Sequence, residues 1–168
     1  ECRRMGIKVL GPDINESKKG FAVNKRAEIR FGLGGLKGVG ENGIENIMEE
    51  RANKGPYKNI FDFIMRINQR MVNKRSLESL IYSGAFDCFE DLHRAQYFHT
   101  PKGDTMSGLD RIVKYGNQLQ QQQESSSHTL FGNLSDSMDI QLPKFPACEQ
   151  WTLTEKLGYE KEVTGMFI

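Results

Sequence analysis

Apolar residues recur along this chain in two rhythms. Up to about residue 31 the pattern is short and strand-like. Ile7-Lys8-Val9-Leu10, Phe21-Ala22-Val23 and Glu28-Ile29-Arg30-Phe31 are brief runs separated by Gly11-Pro12-Asp13 and the polar stretch Asn15-Glu16-Ser17-Lys18-Lys19-Gly20. That arrangement predicts a small β element. From residue 41 the spacing is helical. Glu41 to Lys54 carries Ile44, Ile47 and Met48 on one face and is stopped by Gly55-Pro56. Asn59 to Ile67 gathers Ile60, Phe61, Ile64 and Ile67, with Asn59 as N-cap and Asp62 three residues on. Asn73 to Ser83 repeats the plan: Asn73 caps, Leu77, Leu80 and Ile81 face inward, and Gly84 stands where a left-handed terminator belongs. A fourth helix is expected over Asp91 to Phe98, and a fifth from Leu109 to about Gln123 on the spacing of Leu109, Ile112, Val113 and Leu119. Gln120–Gln123 and Ser125–Ser127 then read as low-complexity linker. Beyond it Trp151, Leu153, Leu157, Tyr159 and Val163 predict one more packed segment, expected to need a neighbouring domain to bury it.

Glycine adds the first hint of function. Six of the twelve residues from Gly32 to Gly43 are glycine, and Gly38-Val39-Gly40 runs straight into the helix expected from Glu41. The first N–H groups of a helix have no intrahelical acceptor, and the helix dipole adds partial positive charge there. A turn of this kind therefore offers unpartnered donors to an anion, most usefully a phosphate, with Lys37 beside it. Gly38-Val39-Gly40-Glu41-Asn42-Gly43 also fits the G-x-G-x-x-G pattern of dinucleotide-binding folds, but no strand precedes it and no βαβ series follows. No Gly-Lys-Ser/Thr is present for a P-loop. The better template is a helix-hairpin-helix, with Leu33 and Leu36 anchoring a short first helix and Val39 plugging the hairpin into the core. Its backbone donors would hold DNA phosphate and position a duplex without reading bases. A tight turn between helices whose glycines only relieve crowding explains the same residues, and the hairpin by itself does not separate the two. Ser83-Gly84-Ala85-Phe86, between Leu77-Leu80-Ile81 and Leu92-Ala95, reads as a degenerate second copy. Taken alone, that copy is explained as well by plain capping at Gly84.

Charge favours the nucleic-acid reading. The net charge of +1 conceals an asymmetry: Arg51, Lys54, Lys58, Arg66, Arg70, Lys74 and Arg75 face one acid, Asp62, between residues 51 and 75, whereas residues 124–168 hold seven acids and three lysines. A basic segment beside a phosphate-seeking turn points to nucleic acid. At 168 residues, 38% hydrophobic and 27% charged, the composition is globular. The sequence opens on Glu1 and stops at Met166-Phe167-Ile168, and is expected to be a piece of a longer protein. No run reaches bilayer-spanning length and no signal-peptide pattern is seen. Cys2, Cys88 and Cys148 do not form a disulfide framework, and a reducing cytoplasm is expected. His93, His99 and His128 lack ligand spacing and no nucleophile–base set assembles, so neither a metal, a cofactor nor a catalytic residue is expected.

An ordered series of longer landmarks runs through the chain. It begins with Glu1-Cys2-Arg3-Arg4-Met5-Gly6-Ile7-Lys8-Val9-Leu10-Gly11-Pro12-Asp13-Ile14-Asn15-Glu16-Ser17, then Ile29-Arg30-Phe31-Gly32-Leu33 and Leu36-Lys37-Gly38-Val39-Gly40. Phe61-Asp62-Phe63, Val72-Asn73-Lys74-Arg75, Leu77-Glu78-Ser79-Leu80-Ile81 and Ser83-Gly84-Ala85-Phe86-Asp87 follow, with Glu155-Lys156-Leu157, Glu160-Lys161-Glu162 and Gly165 near the end. On these residues the chain resembles the C-family replicative DNA polymerases of bacteria, in the α (catalytic) subunit of DNA polymerase III. The resemblance implies a mainly α fold with a small N-terminal β element and a tandem helix-hairpin-helix domain followed by an extended linker. The divisions expected are the end of the fingers region over 1–27, the DNA-binding helical domain over 28–123, a flexible linker over 124–145, and a segment leading toward an OB-fold over 146–168. The polymerase's metal-binding aspartates would lie upstream of this piece.

The expected phosphate contacts are Lys37, Gly38, Val39, Gly40 and Glu41 at the first corner, Ser83, Gly84 and Ala85 at the second, and the cations Lys74 and Arg75. The family also carries a sliding-clamp peptide of the form Gln-x-x-Leu/Met-Phe after the helices. Its slot here reads Ser127-His128-Thr129-Leu130-Phe131, so Ser127, Thr129, Leu130 and Phe131 are the implied clamp contacts, with Ser127 in place of the glutamine. Leu130 and Phe131 would supply the buried anchors that dominate such an interface. The implied partners are duplex DNA bound without sequence preference, the β sliding clamp and other holoenzyme subunits, with no membrane. Two other classes remain in view: a helical module for protein interaction without DNA binding, and a helix-hairpin-helix enzyme, for which no catalytic set is visible.

Overall fold

A computed structural model of the chain describes residues 4–128 and 141–167, with residues 123–128 described by their backbone alone. Three two-residue strands, β1 (Val9–Leu10), β2 (Ala22–Val23) and β3 (Ile29–Arg30), form a sheet in the order β1-β3-β2. β3 pairs parallel with β1, Val9 opposite Ile29, and antiparallel with β2, Val23 opposite Ile29. A single 3-10 turn at Leu33–Gly35 leads to the helices α1 (Glu41–Lys54), α2 (Ile60–Arg66), α3 (Lys74–Tyr82), α4 (Arg94–Phe98), α5 (Gly108–His128) and α6 (Leu153–Thr164).

The helix ends follow local chemistry. Asn59 Oδ1 accepts the Asp62 amide at 2.8 Å and Asn73 Oδ1 the Ser76 amide at 3.0 Å, so both asparagines cap as their positions predict. α1 ends at Gly55, whose φ of +81° only glycine adopts readily. The inward stripes meet in one core that includes Leu33, Ile47, Phe63, Leu80, Tyr97 and Ile112. Within α2 the fully buried ring is Phe63, while Phe61 is half-buried against Tyr115 and Phe145.

Three boundaries and one packing expectation differ from the sequence reading. No break in packing falls near residue 27, because β3 closes the sheet from the far side and Ile14 N–H reaches Ala85 O at 2.9 Å inside the common core. α4 begins at Arg94, with His93 in extended backbone before it and its N–H donating to Gln96 Oε1 at 3.1 Å. α5 runs through the glutamine and serine tract to His128, so residues 124–128 are helical rather than linker. Glutamine is a good helix former, and a helix already nucleated in the core needs only propagation. The C-terminal segment finds part of its cover within the chain: Trp151 and Tyr159 stack with Tyr82 of α3, and Trp151 with Phe98 of α4, at centroid distances of 4.7–5.9 Å, and Val163 is buried, while Leu153 stays exposed.

Two arginines of the basic segment are structural. Arg51 donates to Ile14 O at 2.7 Å and Ser17 O at 2.8 Å, fastening the loop before β2 to α1. Arg66 donates to Glu50 O at 2.7 Å and Gly55 O at 2.8 Å, pairs with Asp62 at 3.1 Å, and lies 4.3 Å over the Tyr57 ring. Burial pushes the Tyr57 phenol up to about 12, and its hydroxyl donates to Ile47 O at 2.8 Å. No helix among the described residues is long and apolar enough to cross a membrane.

Candidate nucleic-acid interface

The glycine-rich segment divides between two jobs. Its first part is pinned to the loop before β2, with Leu33 N–H on Lys18 O and Gly34 N–H on Lys19 O, both at 2.9 Å. Its second part, from Leu36 to Glu41, is an outward-facing corner. The element before it is the single 3-10 turn, shorter than the first helix expected of a helix-hairpin-helix; Leu33 and Leu36 still anchor it, both buried. Lys37, Gly38, Gly40 and Glu41 are exposed, and Val39 is half-buried against the core.

Hydrogen bonding fixes the direction in which this corner looks. Ser76 Oγ, buried on α3, donates to Gly38 O at 3.1 Å. No peptide bond among the described residues is cis. In a trans unit the carbonyl and the following N–H point in opposite directions, so Ser76 turns the Val39 amide away from α3. Lys37 N–H donates to Val163 O of α6 at 2.8 Å. Gly38 has φ +87°, and a Cβ there would lie 2.7 Å from Ser79 Oγ, so any side chain would both strain the turn and push it off α3. Gly40 caps α1 in extended backbone, φ −72° and ψ 152°, with no side chain to accept the first amides. The first helical bond is Ile44 N–H to Gly40 O at 3.1 Å. Among the described residues the amides of Gly38, Gly40 and Glu41 have no protein acceptor, while the Val39 amide closes the turn back toward Leu36.

Side chains around the corner supply positive charge. Arg75, exposed on α3, passes beside Gly38, its Cγ and Nε each 3.7 Å from where a Cβ would stand. The Lys37 stem lies along the end of α6, with Cε and Nζ 3.9 Å from the Cβ position of Gly165. Glu41 would set a carboxylate against an incoming anion, but Lys19 pairs with it and reaches Glu45 at 3.3 Å. These hydrogen bonds raise the Lys19 ammonium above its ordinary range and hold the Glu41 carboxyl below its own.

The other expected contacts fare differently. Ser83, Gly84 and Ala85 form a closed corner. Ser83 N–H bonds Ser79 O, Gly84 N–H bonds Ile81 O and Ala85 N–H bonds Leu80 O, each at 3.0 Å, and all three residues are buried. The last two bonds and the left-handed Gly84, φ +80°, make a Schellman ending to α3. These donors are spent on helix carbonyls, so the expected phosphate role of Ser83, Gly84 and Ala85 is replaced by a structural one. Lys74 is turned away from the first corner and paired with Asp110 of α5 at 2.6 Å. That pairing raises the Lys74 ammonium and, with the Ser107 hydroxyl, pushes the Asp110 carboxyl down to about 2. The basic run is thus a poor measure of the surface field: Arg51 and Arg66 hold carbonyls, and Lys54 pairs with Glu50 at 2.8 Å. Thr129, Leu130 and Phe131 lie outside the described residues, and Ser127 is described only as backbone in the last turn of α5. Ser76 and Lys19 carry no local signal in the sequence, since their partners are 38 and 22 residues away. No group of three or more His, Cys, Asp or Glu among the described residues could hold a metal ion.

A sequence profile described as helix-hairpin-helix motif matches residues 6–97. The chain belongs to the helix-hairpin-helix family. Within that family its relatives are consistent: it is similar to DNA polymerase III subunit alpha of Xylella fastidiosa strain Temecula1, 34% identical over 167 residues, covering 99% of this chain and 13% of that protein. The corresponding proteins of Vibrio cholerae serotype O1 and Escherichia coli K12 are 36% and 35% identical, each covering 100% of this chain and 14% of the relative. The helix-hairpin-helix chain described here therefore spans only 13–14% of the length of these curated relatives.

Proposed function

We propose that this chain is a non-catalytic, duplex-DNA-binding part of a bacterial replicative DNA polymerase α subunit. The observation that carries the reading is the open corner at the start of α1, where the exposed residues Gly38, Gly40 and Glu41 bring acceptor-free amides between Lys37 and Arg75. A phosphate there would accept main-chain hydrogen bonds, gain from the helix dipole and meet two exposed cations. None of these contacts reads a base, so binding is indifferent to sequence and sensitive to salt. The first corner alone supplies main-chain donors, and the closed second corner serves to support it. The tandem relation is thus one of chain path, with a single gripping hairpin.

In the longer protein this grip would lie on the duplex behind the site of synthesis, in the bacterial cytoplasm. The clamp peptide reading of Ser127, Thr129, Leu130 and Phe131 belongs to the same proposal, with the β sliding clamp and other holoenzyme subunits as partners. No cofactor is needed for such a role.

A fluorescence-anisotropy titration with a duplex of mixed sequence tests the DNA reading. Log K should fall with log salt by roughly 0.9 for each phosphate neutralised. Lys37→Glu with Arg75→Glu should flatten that slope and weaken binding. Affinity that ignores salt, or that is untouched by the double variant, favours a protein-interaction module instead. For the clamp, Leu130→Ala with Phe131→Ala should abolish capture by the clamp, and retained capture refutes that part.

A further inference from the structure

We infer that α6 is a latch that sets the open corner, with Tyr159, Glu160 and Val163 acting as positioning residues for the phosphate contact. The inference rests on the DNA-binding reading and assigns it a control element remote in sequence.

α6 touches both corners at once. Tyr159 and Val163 are four apart and Glu160 three before Val163, so the three share one helix face. Tyr159 stacks on Tyr82 at 4.7 Å and against Trp151 at 4.4 Å. Glu160 pairs with Arg94 at 2.8 Å, the two side chains 16% and 9% exposed, and Arg94 in turn grips Asp87 beneath the closed corner. One turn further on, Val163 is buried and its carbonyl takes the Lys37 amide at the open corner. Among the described residues the corner is tied to its neighbours by two main-chain anchors, this bond and that of Ser76 Oγ to Gly38 O. Together they orient the peptide planes before Lys37 and after Gly38. Losing the α6 anchor leaves Gly38, already the residue with least restriction, as a swivel between Leu36 and α1. The Lys37 amide would then turn to solvent and the donors at Gly38 and Gly40 would no longer converge. Whatever lifts α6 therefore weakens the hold on phosphate without touching a DNA-contacting side chain.

The test uses the full chain. Tyr159→Ala with Glu160→Gln removes the stack and the ion pair that dock α6, and Tyr159→Phe keeps the stack. Amide exchange and the proton shift of Lys37 are followed by NMR, with Leu80 as a core reference, beside duplex affinity. In the double variant, Lys37 should lose protection while Leu80 keeps it, and affinity should fall about tenfold, the loss of one charge-assisted contact. Tyr159→Phe should restore both readouts. Two results overturn the latch: Lys37 stays protected when α6 is loosened, or Lys37 is released with affinity unchanged. If the unaltered chain fails to bind duplex, the DNA reading falls, and Lys37 protection alone decides whether α6 sets the corner. Should the double variant not fold, Thr152→Ala with Glu155→Ala loosens α6 from its exposed capping box, and the same two results decide.

Discussion

Gly84→Ala should separate the two corners, because the second is built for packing. Two terms act on the substitution. At φ +80° an alanine pays for left-handed backbone, about 1–2 kcal/mol. Its Cβ would also collide with Arg94 Nη2 and lie 2.8 Å from Arg94 Cζ, closer than settled contacts, with Asp87 Oδ2 tight beside it at 3.0 Å. The guanidinium must move, and it is bound to Asp87 at 2.5 Å and 2.9 Å, to Glu160 at 2.8 Å and to Tyr82 O at 3.3 Å. Removing a partner of a buried pair outright costs about 3–5 kcal/mol; here the charge is displaced rather than deleted and Asp87 is exposed, so ~1–2 kcal/mol is the fitting share. The sum is about 2–4 kcal/mol. Urea unfolding should show a lower midpoint at unchanged slope, and the melting temperature should drop by roughly 5–15 °C for a chain of this size. A loss below about 0.5 kcal/mol, the range of ordinary surface substitutions, would refute both the closed geometry and the strain assigned to it.

Gly40→Ser should do the reverse. Gly40 has the backbone of an N-cap and open space around its Cβ position, so the serine hydroxyl can accept a first-turn amide, stabilising the chain by a few tenths of a kcal/mol while competing with phosphate. Calorimetry and duplex titration should move in opposite senses; equal DNA affinity would mean the first-turn amides are not contacts. Arg66→Lys should destabilise by about 2–3 kcal/mol in urea unfolding, since one ammonium cannot serve the Glu50 and Gly55 carbonyls, Asp62 and the Tyr57 face together. Asp110 is held down to about 2 from an ordinary 3.8, first by Lys74, so its stabilisation is complete above that ordinary value and fades as pH falls toward 2. Stability curves of the parent and Asp110→Asn should differ at neutral pH and converge across that acid window; parallel curves would refute the pairing.

What was legible in the sequence was whatever neighbouring residues decide. Asn59 and Asn73 cap because their acceptors reach amides three residues on, and Gly84 terminates α3 through bonds within one turn. The glycine turn was equally local, since Gly38 and Gly40 precede a periodic helix and Gly40 brings no cap, but whether it opened outward was not. Hidden were the partners that only the fold selects. Arg51 and Arg75 look alike in a charge count, yet one fastens Ile14 and Ser17 carbonyls and the other passes the open turn. Ser83-Gly84-Ala85 resembled a second hairpin because glycine marks both a helix ending and a close approach of backbone. Only the direction of its amides tells them apart. Likewise nothing near Val163 announces that its carbonyl belongs to Lys37.

The continuous path of α5 from Gly108 to His128 gives its glutamine tract a mechanical meaning. Each residue advances a helix about 1.5 Å and turns it by a 3.6th part of a circle. Adding or deleting a single glutamine would therefore swing everything that follows His128 around the rod by about 100°, whereas seven would nearly restore the heading some 10 Å further out. The repeat works as a ruler with an angular scale: its length sets a heading as well as a reach.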